Sequence, residues 1–162
     1  MKMSEGVEWA IHSLSLLASV PEGRSMPGAA LAEFFDIPQT YLAEHLQHLS
    51  RAGLVQAVRG PGGGYQLAKP ATKISLLDVV FAIEGEDPCF KCTEIRQQGP
   101  SGLTASHYKR PCGIHVAMRS AEQAWRNELS KVSIAQMSET GLRQTPRAQT
   151  AKALKWFEKV LK

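Results

Sequence analysis

Residues 38–68, PQTYLAEHLQHLSRAGLVQAVRGPGGGYQLA, decide the fold. Over 38–52, Tyr41, Leu42, Leu46 and Leu49 recur at helical spacing and Gly53 supplies a C-terminal stop. Beyond Gly53 the period changes. Leu54–Val58 and Tyr65–Ala68 read as two short strands joined by Arg59–Gly64, a β-hairpin with a glycine-rich tip. The Gly60–Gly64 run is a turn and not a nucleotide loop, because no Lys-Ser/Thr follows it and the next element is a strand. Toward the N-terminus, Asp36-Ile37-Pro38 is a tight turn behind a short helix that starts at Pro27 and ends near Phe35. Two helices joined so closely have helix-turn-helix geometry. Residues 5–20 form the helix before them, with Val7, Ala10, Ile11, Leu14, Leu17 and Ala18 on one side and Pro21-Glu22-Gly23 as its stop. Residues 75–85 form the helix after the hairpin, closed by Gly85. The predicted fold is mainly α with a small β-hairpin wing, a winged helix-turn-helix over residues 1–85.

Composition narrows the function. With 43% hydrophobic and 21% charged residues, the 162-residue chain is ordinary for a folded protein and excludes a disordered tail. No apolar run reaches the roughly 20 residues of a membrane span; the best stretch, Trp9–Val20, is interrupted by His12, Ser13, Ser15 and Ser19. The opening residues carry no signal-peptide pattern, so the expected compartment is the cytoplasm. Three cysteines are too few for a secreted disulfide scaffold, and in a reducing compartment they point to a metal site, a thiol switch or packing. No nucleophile–base constellation or phosphate loop stands out, which argues against an enzyme.

Charge is unevenly spread. Residues 1–80 hold six Lys/Arg against seven Asp/Glu, and residues 81–162 hold thirteen against eight. Within the first half, 39–73 carries Arg51, Arg59, Lys69 and Lys73 against Glu44 alone. A basic strip on a nearly neutral domain fits a polyanion at one face. Gln39, Thr40, Ala43, Glu44, Gln47 and His48 face away from the leucine side of the 38–52 helix, where early side chains reach base edges in a major groove. Glutamine pairs with adenine, threonine meets a base or a thymine methyl, and Glu44 accepts from cytosine. Tyr41, at the edge of the apolar side, joins this set. Arg51 and the wing's Arg59 serve phosphate or minor groove, and the tip glycines, Gly60 among them, let backbone approach the sugar-phosphate closely. The expected partner is double-stranded DNA; the alternative is a winged helix used only for protein contacts.

Residues 86–112 lose all periodicity and contain the three cysteines with Pro88, Pro100 and Pro111. So long an irregular stretch inside a compact protein argues for function or mobility. From 113 to 132 a long helix resumes, its Ile114, Met118, Ala121, Trp125, Leu129 and Val132 forming a near-heptad seam that wants a partner helix, a dimerisation arm. A last helix spans about 147–161. The chain thus divides into a DNA-binding unit (1–85), a cysteine-bearing loop (86–112) and a dimerisation helix with a C-terminal helix (113–162).

Taken in order, Ser4–Ala10 (SEGVEWA), Tyr41-Leu42, Ala52–Val55, Val58–Tyr65 (VRGPGGGY) and Leu77–Gly85 (LDVVFAIEG) resemble the Rrf2 family of bacterial transcription regulators over essentially the whole chain. The resemblance implies a cytoplasmic homodimer that binds palindromic operators through two winged helices. It also implies a long helix crossing to the other subunit and a sensor loop before it, holding an iron–sulfur cluster in many members. Glu8–His12 (EWAIH) together with Phe90–Gln97 (FKCTEIRQ) is similar to the RsrR-like redox branch, where a [2Fe–2S] cluster takes cysteine, glutamate and histidine ligands from both subunits. On that likeness the metal ligands are Glu8, His12 and Cys112, with His107 in the remaining place, or else His115 or Cys92. Glu8 and His12, four apart, share one helix face. The nineteen residues between Cys92 and Cys112 depart from the family's closely spaced cysteines, and a histidine in place of thiolate would raise the reduction potential. The same residues have plainer readings: a hydrogen-bonded interface histidine, a surface acid, and in Cys89-x-x-Cys92 a dithiol switch or half of a zinc site. A thiol-based redox regulator without a cluster is the alternative function.

Overall fold

The computed structural model describes residues 3–60 and 62–161. Three helices come first: α1 (Glu5–Leu17), α2 (Gly28–Phe35) and α3 (Gln39–Arg51). Their bounds follow local chemistry. Pro27 and Pro38 stand immediately before α2 and α3 with φ near −57° and −58°, pre-set for helix entry. Asp36 closes α2 in the left-handed region at φ 53°, a conformation that aspartate tolerates better than most residues. The hairpin follows, with β1 (Val55–Val58) antiparallel to β2 (Gly64–Leu67) and Val55 opposite Leu67. It is tied back to the entry of α2 by reciprocal Met26–Tyr65 backbone hydrogen bonds of 2.9 and 2.8 Å. Helix α4 (Leu76–Glu84) opens on a complete capping box: Asp78 N–H donates to Ser75 Oγ and Ser75 N–H donates to Asp78 Oδ2.

Leu14 from α1, Leu31 from α2, and Leu42, Leu46 and Leu49 from α3 are buried together with Leu54, Ile74 and Val79. This apolar centre holds α3 with its opposite face free. Burying each such leucine fully contributes roughly 1.5–3 kcal/mol.

Residues 86–112 are irregular apart from short 3₁₀ turns at Ile95–Gln97 and Ala105–His107. Helix α5 (Gly113–Ser130) then starts at Cys112. Its two halves differ. Ile114, Val116 and Met118 are 63%, 54% and 43% exposed, whereas Trp125, Leu129 and the following Val132 are half-buried and Glu122 is 5% exposed. The apolar seam expected over 113–132 is therefore free only in its first half; the second half packs on α4.

The region after α5 corrects the sequence reading, which leaves 133–146 without an element. Helix α6 (Ile134–Gln144) occupies it, ahead of α7 (Arg147–Val160). Ser133 caps α6 with Gln136 in a second capping box, a signal legible in Ser133-Ile134-Ala135-Gln136. Backbone hydrogen bonds from Leu76 N–H to Val132 O (2.9 Å) and Ile134 N–H to Ile74 O (2.8 Å) fasten this junction to the start of α4, and Ile134 is buried in the core. The last two helices thus return to the winged-helix body. Among the described residues no helix is long and apolar enough to cross a membrane.

Candidate nucleic-acid interface and sensor loop

Helix α3 buries its leucines and leaves most of the opposite face exposed. Gln39, Thr40, Ala43, Glu44, Gln47 and Arg51 are exposed, and Leu42, Leu46 and Leu49 are buried. His48 and Tyr41 are half-buried, Tyr41 lying edge-on to His45 with ring centroids 4.7 Å apart. Arg59 and Gly60 are exposed at the wing.

Two features of this surface escape sequence reading. His45 is one: it fills the gap between α3 and α1, where a Cβ on Gly6 would stand 2.8 Å from its Cε1 and 3.3 Å from Ile83 Cγ2. Its Nε2 is buried without a hydrogen-bond partner. Burial holds the imidazole below its ordinary value of 6.5; the nearby Glu44 charge opposes this and His48 adds to it. The unfolded chain therefore takes up the proton first as pH falls below about 6.5, and the folded state loses stability from there downward. Chemical denaturation at about pH 7.5 and 5.5 is expected to show a larger loss for wild type than for His45→Gln; equal losses would remove His45 from that role.

The second feature is the wing glycines. The sequence assigns them to close approach of DNA, but Gly64 is required by the chain itself: a Cβ there would lie 2.2 Å from Met26 O. The Ser25 hydroxyl also donates to Gly62 O at 2.8 Å, so the wing tip is tied to the segment leading into α2.

In the 86–112 loop, Arg96 organises the backbone. Its guanidinium pairs with Glu94 through both arms, donates to Arg110 O at 3.1 Å and lies 4.8 Å over the Tyr108 ring. The Tyr108 hydroxyl donates back to Arg96 O. Cys112, half-buried, sits where this knot meets the first turn of α5. The N–H groups of His115 and Ile114, with the Arg96 charge behind them, hold the Cys112 thiol below its ordinary value. His115 lies by Phe90, ring centroids 6.4 Å apart, and its Nδ1 is buried and unpartnered. Cys89 and Cys92 are exposed free thiols on the same stretch as Phe90.

The predicted metal ligands lie apart within one chain. Glu8 and His12 are exposed on α1, His12 beside Phe35 at 6.1 Å between centroids and Trp9 beside the same ring at 5.9 Å. His107 sits in a turn where Thr104 Oγ1 meets its Nδ1 at 3.0 Å. Among the described residues, no three His, Cys, Asp or Glu side chains are gathered closely enough to hold a metal ion.

The family model for Rrf2, an iron-dependent transcriptional regulator, matches residues 3–140. The chain belongs to the Rrf2 family. YffB of Lactococcus lactis subsp. lactis, named an HTH-type transcriptional regulator, is 34% identical over 139 residues, 86% of this chain and 88% of its own length. CymR (YrzC), the global cysteine regulator of B. subtilis, shares the fold with a TM-score of 0.67 at 19% identity, covering 86% of this chain and 98% of its own. IscR of T. potens does so with a TM-score of 0.66 at 20% identity, covering 91% and 93%. As an Rrf2 protein the chain is a DNA-binding transcriptional regulator and not an enzyme. Helix α7 lies wholly beyond the matched residues.

Proposed function

We propose that this Rrf2 chain acts in the cytoplasm as a homodimer, placing two α3 helices on a palindromic operator and reading redox or iron–sulfur status through the 86–112 loop. One observation carries the reading. Cys112 begins the same helix whose Ile114, Val116 and Met118 lie uncovered, so thiol chemistry and the surface available to a second subunit share one element. A change at the sulfur then bears on how two subunits meet, and through that on the spacing of their recognition helices.

The donor chemistry fits a [2Fe–2S] cluster only across two chains. Glu8 and His12 point from one face of α1 without hydrogen-bond or ion-pair partners among the described residues. Cys112 favours the thiolate that ligation needs. His107, with Nδ1 engaged by Thr104, keeps Nε2 available, the arrangement in which an outer partner orients a ligating imidazole. These four residues would hold the cluster, with α1 contributed by one subunit and the loop by the other; when bound, the cluster supplies one-electron redox chemistry. DNA contacts in this reading are Gln39, Thr40, Tyr41, Glu44 and His48 for bases, and Arg51, Arg59 and Gly60 for backbone.

A second reading has its own observation: the lowered Cys112 thiol supports direct oxidation, with Cys89 and Cys92 as partner thiols and no cluster. Anaerobic purification decides between them. Visible absorption and bound iron are expected in wild type and are expected to fall sharply in Glu8→Ala, His12→Ala and Cys112→Ala. A colourless, iron-free wild type after reconstitution would exclude the cluster and leave disulfides on a non-reducing gel as the thiol reading's signature. Duplex affinity is expected to fall steeply with salt and on Arg59→Ala; indifference to both would point to a protein-contact module.

A further inference from the structure

Residues 145–162 contain Arg147, Lys152, Lys155, Lys159 and Lys162 against the single Glu158. They supply the chain's entire net charge of +4, so everything before them is neutral. The half of the chain that carries α3 and the wing, residues 1–80, is short of cations, with six basic residues against seven acidic. Duplex DNA rewards proteins in proportion to the phosphates they neutralise, and beyond the strip of Arg51, Arg59, Lys69 and Lys73 this half adds only Lys2 and Arg24. Helix α7 supplies what it lacks.

Lys152, Lys155 and Lys159 fall at i, i+3 and i+7, one stripe along the helix. All three are exposed, and none has an ion-pair partner among the described residues. A different face of α7 is the docked one. The Trp156 ring lies tilted against Phe34 with centroids 4.9 Å apart, its Nε1 donates to Glu33 Oε1 at 3.4 Å, and Phe157 lies 6.3 Å from Phe34. These contacts fix Trp156 beside the C-terminal end of α2. At the other end, Arg24 donates to Leu161 O at 2.6 Å, just ahead of the N-terminal end of α2 and next to the Ser25–Gly62 contact with the wing. The last turns of α7, from Trp156 to Leu161, thus lie against the two ends of α2, the helix that crosses the sugar-phosphate backbone in helix-turn-helix complexes; Lys159 falls within them, with Lys155 and Lys152 on the turns before.

We propose that the Lys152, Lys155 and Lys159 stripe of α7 is an additional phosphate-contacting track that extends the DNA footprint beyond α3 and the wing. The proposal rests on the DNA-binding reading and deepens it. Charge complementarity and continuity with the wing commit the stripe to duplex backbone. It carries no sequence information, so its effect is on affinity, salt dependence and length of duplex covered, with base preference unchanged.

The test uses the full chain and a random-sequence duplex of about 40 base pairs, titrated at several salt concentrations. Each lysine that meets a phosphate contributes about 0.9 to the slope of log affinity against log salt. The triple variant K152Q/K155Q/K159Q is therefore expected to lower the slope by about 2 to 3 per subunit, with an unchanged helical circular dichroism spectrum. K152R/K155R/K159R, which keeps the charge, is expected to restore it. Lys131→Gln, on a lysine already paired with Glu128 at 2.6 Å, serves as the control and is expected to leave the slope as it is. A glutamine variant that binds with the wild-type slope overturns the track while leaving the DNA-binding reading intact; the stripe would then belong to another anionic partner, such as an acidic protein. A wild type without salt-dependent duplex binding would overturn both.

Discussion

Gly64→Ala is expected to lower folding stability by about 3 kcal/mol or to prevent folding, the largest effect of any single methyl added to this chain. The added carbon would stand 2.2 Å from Met26 O, 2.4 Å from Met26 C and 2.7 Å from Pro27 N. All three are backbone atoms held by the Met26–Tyr65 hydrogen bonds, so no side chain can turn aside. Relief requires the hairpin to separate from the segment entering α2, giving up both bonds and the seating of the wing. Overpacking of this kind costs about 1–3 kcal/mol even where side chains can adjust. Urea unfolding measures it directly. Gly53→Ala makes the comparison: its Cβ would meet nothing within 4 Å, so its cost comes from its left-handed φ of 67° alone and is expected near 1 kcal/mol. A Gly64→Ala protein as stable as the Gly53→Ala one would mean that the wing is not fastened as described.

Arg126→Met is expected to cost about 3 kcal/mol. Arg126 reaches Glu122 Oε1 at 2.5 Å, donates to the carbonyls of Glu86 and Asp87 at 3.1 and 3.5 Å, and lies 4.9 Å over the Phe81 ring. Glu122 is 5% exposed, and its other basic neighbour, Arg119, stands 3.9 Å away and is half exposed. Removing Arg126 strands a buried carboxylate and releases the start of the 86–112 loop from α5. Glu122→Gln/Arg126→Met is expected to recover part of the loss, because the uncompensated charge is then gone. A thermal melt in which the double variant is no better than Arg126→Met would show that packing on Phe81, and not the buried charge, is the main contribution.

The helix-turn-helix and its wing were legible because their signals are local. Pro27 and Pro38 mark helix starts, Gly53 marks a stop, and the period changes between Arg51 and Leu54. The capping box at Ser133 is just as local, yet α6 offers few apolar residues beyond Ile134, Met137 and Leu142, and periodicity alone passes over it. Features that depend on tertiary neighbours were not legible. Glu122 and Arg126, four apart, look like a solvated helix pair until α4 covers them. His45 lies among polar residues and reads as surface until Gly6 is seen to leave room for it. The glycines at 60–64 were assigned to DNA approach, although Gly64 answers to Met26 across the molecule. In the 86–112 loop Cys112 was legible as the residue before a long helix. The Arg96 knot beside it was not, since irregular backbone has no period from which to infer which side chains meet.

The Leu76–Val132 and Ile134–Ile74 hydrogen bonds clamp the C-terminal end of α5 to the body, while its opposite end carries Cys112 and uncovered Ile114. An 18-residue helix is about 27 Å long, and with its second half packed on α4 the free half, about 13 Å, behaves as a cantilever. A tilt of about 10° at its base moves the far end by about 2 Å. Leverage also runs backward: a displacement of that size forced at the tip reaches the base as a small rotation, delivered into α4.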